Sequence, residues 1–300
     1  MKKAILPIVI FVFTTLQGIS QQLPLYSQYM TNNFLLNPAV AGTHNYTPVR
    51  LTGRMQYLGF DGAPRTYALS VHTPLMDNRM GLGGYLYKDN IGAISQTGVQ
   101  LAYSYHIPLD RETFLSFGLG LRAFQYVLDE TELAYHGYDP FLTGSQHAEF
   151  IPDADFGIHV YNNRLFGGLS IGQLIQYKIK LADLEGKGTN KRHYFLYGGY
   201  AFESGRAFEI MPSLLIKYVN GSPINIDLNL RGIYQKSYWA ALSFRSDKSL
   251  ITMVGMQYQI YVFGFAYDYS FSDIKSYSSG SVEIVLGINL GKNNKGSTLL

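Results

Sequence analysis

Three histidines, His72, His106 and His159, and five acids, Asp155, Glu209, Asp227, Asp268 and Glu283, fall at the polar positions of alternating stretches. Arg54, Arg122, Arg231, Arg245 and Lys217 share that parity. Acids beside histidines can do acid–base or nucleophilic work when they meet at one rim or on one wall. Here they are dispersed over many stretches with signs mixed, which suits ion pairs and hydrogen bonds lining a wet interior. Gly168-Leu169-Ser170-Ile171-Gly172 matches the hydrolase pattern G-x-S-x-G, whose serine must stand on a sharp strand-to-helix turn. Ser170 instead follows Leu165, Gly167 and Leu169 in an alternating run, so a strand serine is expected. Asp153 and Asp155 alone are too few for a metal, and the sequence has neither cysteines nor histidines at helical ligand spacing. The parity of Gly118 and Gly120 sends them inward, where glycine lets a wall bend or lets something pack close. No catalytic residue, cofactor or metal is expected.

The elements that position these residues are strands. In Ile260 to Phe271 every second residue is aromatic: Tyr261, Phe263, Phe265, Tyr267, Tyr269 and Phe271. Gly264, Ala266, Asp268 and Ser270 lie between them. Alternate side chains of a strand face opposite sides. A wall of rings backed by a carboxylate and a hydroxyl is the contrast that lipid outside and a wet lumen inside require. About fourteen such strands are expected, beginning near Val49, Thr66, Met80, Gln96, Thr113, Ala154, Arg164, His193, Phe208, Ile224, Ser237, Ser249, Ile260 and Ser281. Connections after odd strands include the longest, Leu128 to Pro152 and Gln173 to Arg192, whereas those after even strands are short. Long loops outside and short turns inside are the outer-membrane pattern.

Composition agrees. Charged residues make up 15% of the 300, below the roughly 25% of soluble domains, while there are 25 Tyr, 18 Phe and 31 Gly but one Trp. The net charge of +3 is spread out, so nucleic acid is not an expected partner. The absence of cysteine excludes disulfides, thiolate metal sites and a lipoprotein anchor. Residues 1–20 read as a cleaved signal peptide: Lys2 and Lys3, an apolar run from Ile5 to Leu16, then Gly18-Ile19-Ser20. Residues 21–48 lack clean alternation and form a segment that either tucks into the lumen or lies at the periplasmic rim. Residues 49–291 are the barrel and 292–300 a polar tail.

Several motifs in order resemble the PorP/SprF family of type IX secretion system membrane proteins. They are Tyr26-Ser-Gln-Tyr-Met with Asn37-Pro-Ala-Val-Ala-Gly42, Gly59-Phe-Asp-Gly-Ala-Pro64, Leu69-Ser-Val-His-Thr-Pro74, and Gly81-Leu-Gly-Gly84. Asp89-Asn-Ile-Gly92, Gln100-Leu-Ala-Tyr-Ser-Tyr-His106, Pro152-Asp-Ala-Asp-Phe-Gly157, Pro212-Ser-Leu-Leu-Ile-Lys-Tyr218 and Ser279-Gly-Ser-Val-Glu-Ile284 continue the likeness. Tyr57 departs from it by standing where tryptophan is expected. The resemblance implies an all-β, up-and-down antiparallel transmembrane barrel in the outer membrane of Bacteroidetes. It also implies a role as scaffold or docking protein for type IX components and for a secreted cell-surface protein such as a gliding adhesin, and it brings no catalytic residues.

On this reading, Tyr135, Tyr138, Phe141 and Phe150 on the outer loops are candidates for holding the secreted partner. Tyr29, Asn37 and Pro38 are candidates for meeting the machinery. The alternative is a diffusion porin or uptake channel with Arg122, Arg231, Asp227 and Glu283 lining the lumen.

Overall fold

The computed structural model describes residues 26–76, 78–132, 144–179, 188–205 and 207–291. The expected signal peptide, the 292–300 tail, and Tyr135, Tyr138 and Phe141 lie outside the described residues. The chain forms a closed antiparallel barrel of fourteen strands. The first seven are β1 (Thr47–Met55), β2 (Arg65–Leu75), β3 (Met80–Ile91), β4 (Ile94–Pro108), β5 (Phe114–Asp129), β6 (Gln146–Tyr161) and β7 (Leu165–Gly172). The second seven are β8 (His193–Tyr200), β9 (Phe208–Val219), β10 (Asn225–Tyr234), β11 (Tyr238–Arg245), β12 (Ser249–Tyr258), β13 (Tyr261–Ser270) and β14 (Ser281–Leu290).

Each strand pairs with the next, and β1 closes on β14 from Thr47 opposite Leu290 to Met55 opposite Val282. A short extra strand, Phe202–Ser204, carries the β8–β9 register on to Phe208 after a break opposite Met211 and Pro212. Proline there has no amide to give the ladder.

Alternation sorts the two faces. Leu86, Leu101, Leu121, Leu228, Leu242 and Leu286 point outward and are exposed. Tyr234, Tyr238, Tyr258 and Tyr261 are exposed at the short-turn end, and Phe244, Tyr269 and Phe271 at the long-loop end. An apolar band with an aromatic belt at each edge is what a bilayer's core and two interfaces select. Among the described residues no helix is long and apolar enough to cross a membrane. Closure leaves no unpaired edge in the hydrocarbon.

One boundary differs from expectation. β5 and β6 run 16 residues each and pair as far out as Asp129 with Gln146, so β6 begins before the expected start near Ala154. At roughly 3.3 Å per residue such strands reach about 50 Å, well beyond the apolar band of roughly 25 Å even when tilted. The hairpin therefore extends past the membrane. Phe150, expected on a loop, stands on this strand extension with its side chain exposed. Past it, Gln173–Arg192 contains a small hairpin, Lys178–Ile179 with Gly188–Thr189. At the other end Asp110 accepts the amides of Glu112 and Thr113 at 2.8 and 2.7 Å, bonds that hold its carboxyl below the ordinary range and fix the β4–β5 turn.

Candidate functional site

Residues 26–46 lie inside the barrel as a plug. Three 3-10 turns, Tyr29–Thr31, Asn33–Leu35 and Pro38–Val40, fold the chain tightly. Asn37 caps the third, accepting the Ala39 amide at 2.8 Å, and Pro38 stands at the first position, where no amide donor is missed. Short turns leave many backbone groups without partners of their own, and the barrel wall supplies them. Ser104 and His106 on β4 meet the Ala41 carbonyl at 2.6 and 2.9 Å. Ser116 on β5 donates to Ala39 O at 2.7 Å, and Ser170 on β7 to Leu36 O at 2.5 Å. The serine of the G-x-S-x-G match is thus a strand residue bonded to the plug. His72 on β2 accepts the Gly42 amide at 3.1 Å.

Glycines on the inner wall make room for this chain. A Cβ on Gly118 would overlap the backbone of Ala39, and one on Gly81 the Ala41 carbonyl. Apolar side chains lock the seat. Phe34 packs with Tyr85, Phe124 and Ile151, and Tyr29 with Phe195, Tyr197 and Leu215. Burial raises the pKa of Tyr26 and Tyr29 well above the ordinary phenol value and pushes Tyr46 up to about 12, so all three stay neutral.

The start of the plug meets a buried charge network. Glu283 on β14 accepts the amides of Ser27 and Gln28 at 2.7 and 2.9 Å. Arg54 on β1 bonds Asp268 at 2.6 Å, Glu283 at 3.2 Å and Ser27 Oγ at 2.7 Å. Arg245 reaches Asp268 at 3.7 Å and Asp227 at 2.9 Å, and Lys217 holds Asp227 at 3.0 Å. Three cations face three carboxylates, so the cluster is neutral. Across the lumen Arg122 bonds Asp155 at 2.8 Å, with Gln100 and Tyr85 completing its fork.

The polar candidates read from the sequence therefore fall into four places. Arg54, Lys217, Asp227, Arg245, Asp268 and Glu283 meet in one network, and Arg122 with Asp155 forms a second. His72, His106 and His159 hold the plug or its supports: His106 also bonds Tyr161 at 2.9 Å, and His159 bonds Tyr197 at 3.1 Å. Arg231 and Glu209 lie at the short-turn end, where Glu209 faces Lys236 at 3.7 Å. Among the described residues these histidines and acids do not meet as a catalytic set.

Tyr29, Asn37 and Pro38 require a correction. Expected on a partner-facing rim, they are buried inside the lumen. Tyr29 OH bonds Ser213 at 3.2 Å, while Asn37 Nδ2 reaches Ile158 O at 3.0 Å and Tyr197 OH at 3.1 Å. A segment with many apolar groups and unpaired amides is better satisfied by a glycine-hollowed lumen than by water.

Between the plug and the wall a cavity of about 880 Å³ faces the short-turn end, lined by residues of several turns, among them Asn78, Glu112, Asn163 and Lys236. Sequence reasoning missed it. Its wall combines side chains from strands far apart in the chain, and only the closed ring brings them together.

Comparison with known proteins agrees with this architecture. The chain resembles the CymD monoaromatic hydrocarbon channel, with a TM-score of 0.50, 11% identity, 91% of this chain covered and 94% of that one. It also resembles the Ralstonia pickettii toluene transporter TbuX, with a TM-score of 0.51, 9% identity, 88% of this chain covered and 93% of that one. At such identity the likeness is one of fold. No curated protein matches the sequence. A family profile described as type IX secretion system membrane protein PorP/SprF matches residues 18–288.

Proposed function

The chain belongs to the PorP/SprF family of type IX secretion system membrane proteins, and from that premise we propose that it is a plugged outer-membrane scaffold. In this reading it docks a secreted partner, such as a gliding adhesin, for export or for attachment at the cell surface. The family and the fold are those of a membrane secretion component or channel rather than of enzymes. The observation that carries the docking reading is the seated plug. It is hydrogen-bonded to strands around most of the ring and backed by a neutral charge network, an interior built to stay filled. A filled barrel offers its ends, rather than its bore, to other molecules. The long-loop end, with Phe150 exposed on the β6 extension, is the surface for the secreted partner, and the short-turn end faces the periplasmic machinery.

A tagged chain extracted mildly from its host's outer membrane is expected to bring down type IX components or one abundant secreted protein, identified by mass spectrometry. Deleting residues 135–148 is expected to abolish retention of that secreted partner while the barrel still shows heat-modifiable mobility. Undiminished retention would defeat the role given to the long loop.

The second reading is a channel, favoured by the 880 Å³ cavity and by the channel and transporter named among the similar folds. In planar bilayers the docking reading expects the intact barrel to conduct weakly and a chain lacking residues 26–41 to conduct strongly. High conductance from the intact barrel would favour the channel.

A further inference from the structure

Among the described residues six arginine and lysine side chains are buried inside the barrel wall, and they divide sharply. Arg54, Arg122, Lys217 and Arg245 each bond a carboxylate at 3.0 Å or less. Arg50 and Arg231 have no carboxylate partner among the described residues, and both line the short-turn cavity. Arg50 is partly satisfied by the Val49 and Ile288 carbonyls and by Asn289 Oδ1 at 2.6 Å. Arg231 is not. Its residue is 2% exposed, its Nε and Nη1 have no hydrogen-bond partner, and its guanidinium lies over the Trp239 ring at 4.4 Å. Glu209, on the neighbouring strand, is near enough to attract Arg231 but forms no ion pair with it and faces Lys236 at 3.7 Å.

A buried cation without a bonded counter-charge is costly, and an anion brought from elsewhere would supply one. Guanidinium offers a planar fork suited to carboxylate or phosphate. The rest of the wall chooses between ligand classes. Carboxamides from the plug, a turn and β12, including Asn32, Asn45, Asn162 and Gln257, line the same space. They supply paired donors and acceptors at several heights, the pattern that matches peptide backbone. The volume lies in the range of roughly 300–1,000 Å³ typical of ligand pockets, far more than a bare ion needs.

We propose that this cavity is a binding site for an acidic peptide segment entering from the short-turn side, with its carboxylate on Arg231 and its backbone among the carboxamides. The site stands whether or not the long loops hold a secreted partner, because it uses none of their residues.

Trp239 is the only tryptophan in the chain, so its emission reports on the Arg231 stack directly. Full-length barrel in detergent micelles is titrated with acetyl-Ala-Ala-Glu-Ala-amide, its glutamine counterpart, sodium acetate and inorganic phosphate. A saturable change in emission is expected with the glutamyl peptide, at least tenfold weaker with the glutaminyl peptide or acetate. Arg231→Gln should weaken glutamyl peptide binding at least tenfold while heat-modifiable mobility is retained. Equal response to both peptides, or no saturable response to either, overturns the proposal. So does phosphate or acetate binding as tightly as the glutamyl peptide, which would make the cavity a small-anion site. The peptide comparison needs no variant, so a folding defect in Arg231→Gln does not decide the matter.

Discussion

Replacing Arg54 with methionine is expected to lower the unfolding free energy of the barrel by about 3–5 kcal/mol, the usual cost of removing one partner from a buried ion pair. Arg54 is 2% exposed and touches two carboxylates, Asp268 and Glu283. Without it the network holds Arg245 and Lys217 against Asp227, Asp268 and Glu283, one negative charge in excess in a dry interior. The lost Arg54 also leaves Ser27 Oγ without one of its bonds. Arg54→Lys keeps the charge but cannot bridge both acids and the hydroxyl with one planar fork, so its loss should be smaller but measurable. Equilibrium urea unfolding in lipid vesicles, followed by Trp239 emission, gives the comparison. A loss below about 1 kcal/mol, the worth of an exposed pair, would mean that water reaches the network and that the lumen is not dry there.

The second large effect concerns the seat of the plug. Gly118→Val is expected to expel residues 26–46 from the lumen without dissolving the barrel. The added Cβ would overlap the backbone of Ala39, and neither the β5 ladder nor the Asn37-capped turn has slack to yield. Overpacking typically costs about 1–3 kcal/mol, and a clash between two backbones belongs at the upper end of that range or beyond. Chymotrypsin reads the outcome. The plug carries Tyr26, Tyr29, Phe34 and Tyr46, all buried when it is seated. The variant should be cut within this segment while the barrel keeps its heat-modifiable mobility. Gly53→Val is the control, since a Cβ there meets only the Tyr67 ring at ordinary distance, 3.6 Å. Equal resistance of the Gly118 and Gly53 variants would show that the plug can shift within the lumen.

These two predictions mark what could and could not be read from the residue order. The strands were legible because lipid and water impose opposite demands on alternate residues. Tyr261, Phe263 and Tyr269 could only face outward once Asp268 faced inward. The inward parity of Arg54, Asp268 and Glu283 was legible for the same reason. Their meeting was not: Arg54 lies 214 and 229 residues from its two partners, and only ring closure between β1 and β14 joins them. The start of β6 was missed because residues 146–153 break the polar-in, apolar-out rule: Ile151 is buried on the inner face while Gln146 is exposed on the outer one. The plug was the hardest feature. Its residues have no strand period, and its partners are absences, the missing side chains at Gly81, Gly118 and Gly157. The available signal was the shared inward parity of glycines on several strands, which points to a guest inside the wall.

The β1–β14 seam carries a further consequence, for the order of assembly. The two ends of the barrel meet there, and Arg54 lies directly opposite Glu283 in the register. Glu283 also takes the amides of Ser27 and Gln28, which precede β1 in the chain. The final hairpin to zip therefore finds its complete set of partners only when the leading segment is already in place. A ring that closed around an empty bore would trap an incompletely satisfied carboxylate at its own junction, and it would reopen more readily than a loaded one. The closing seam is thus fully satisfied only in a barrel that already holds its leading segment.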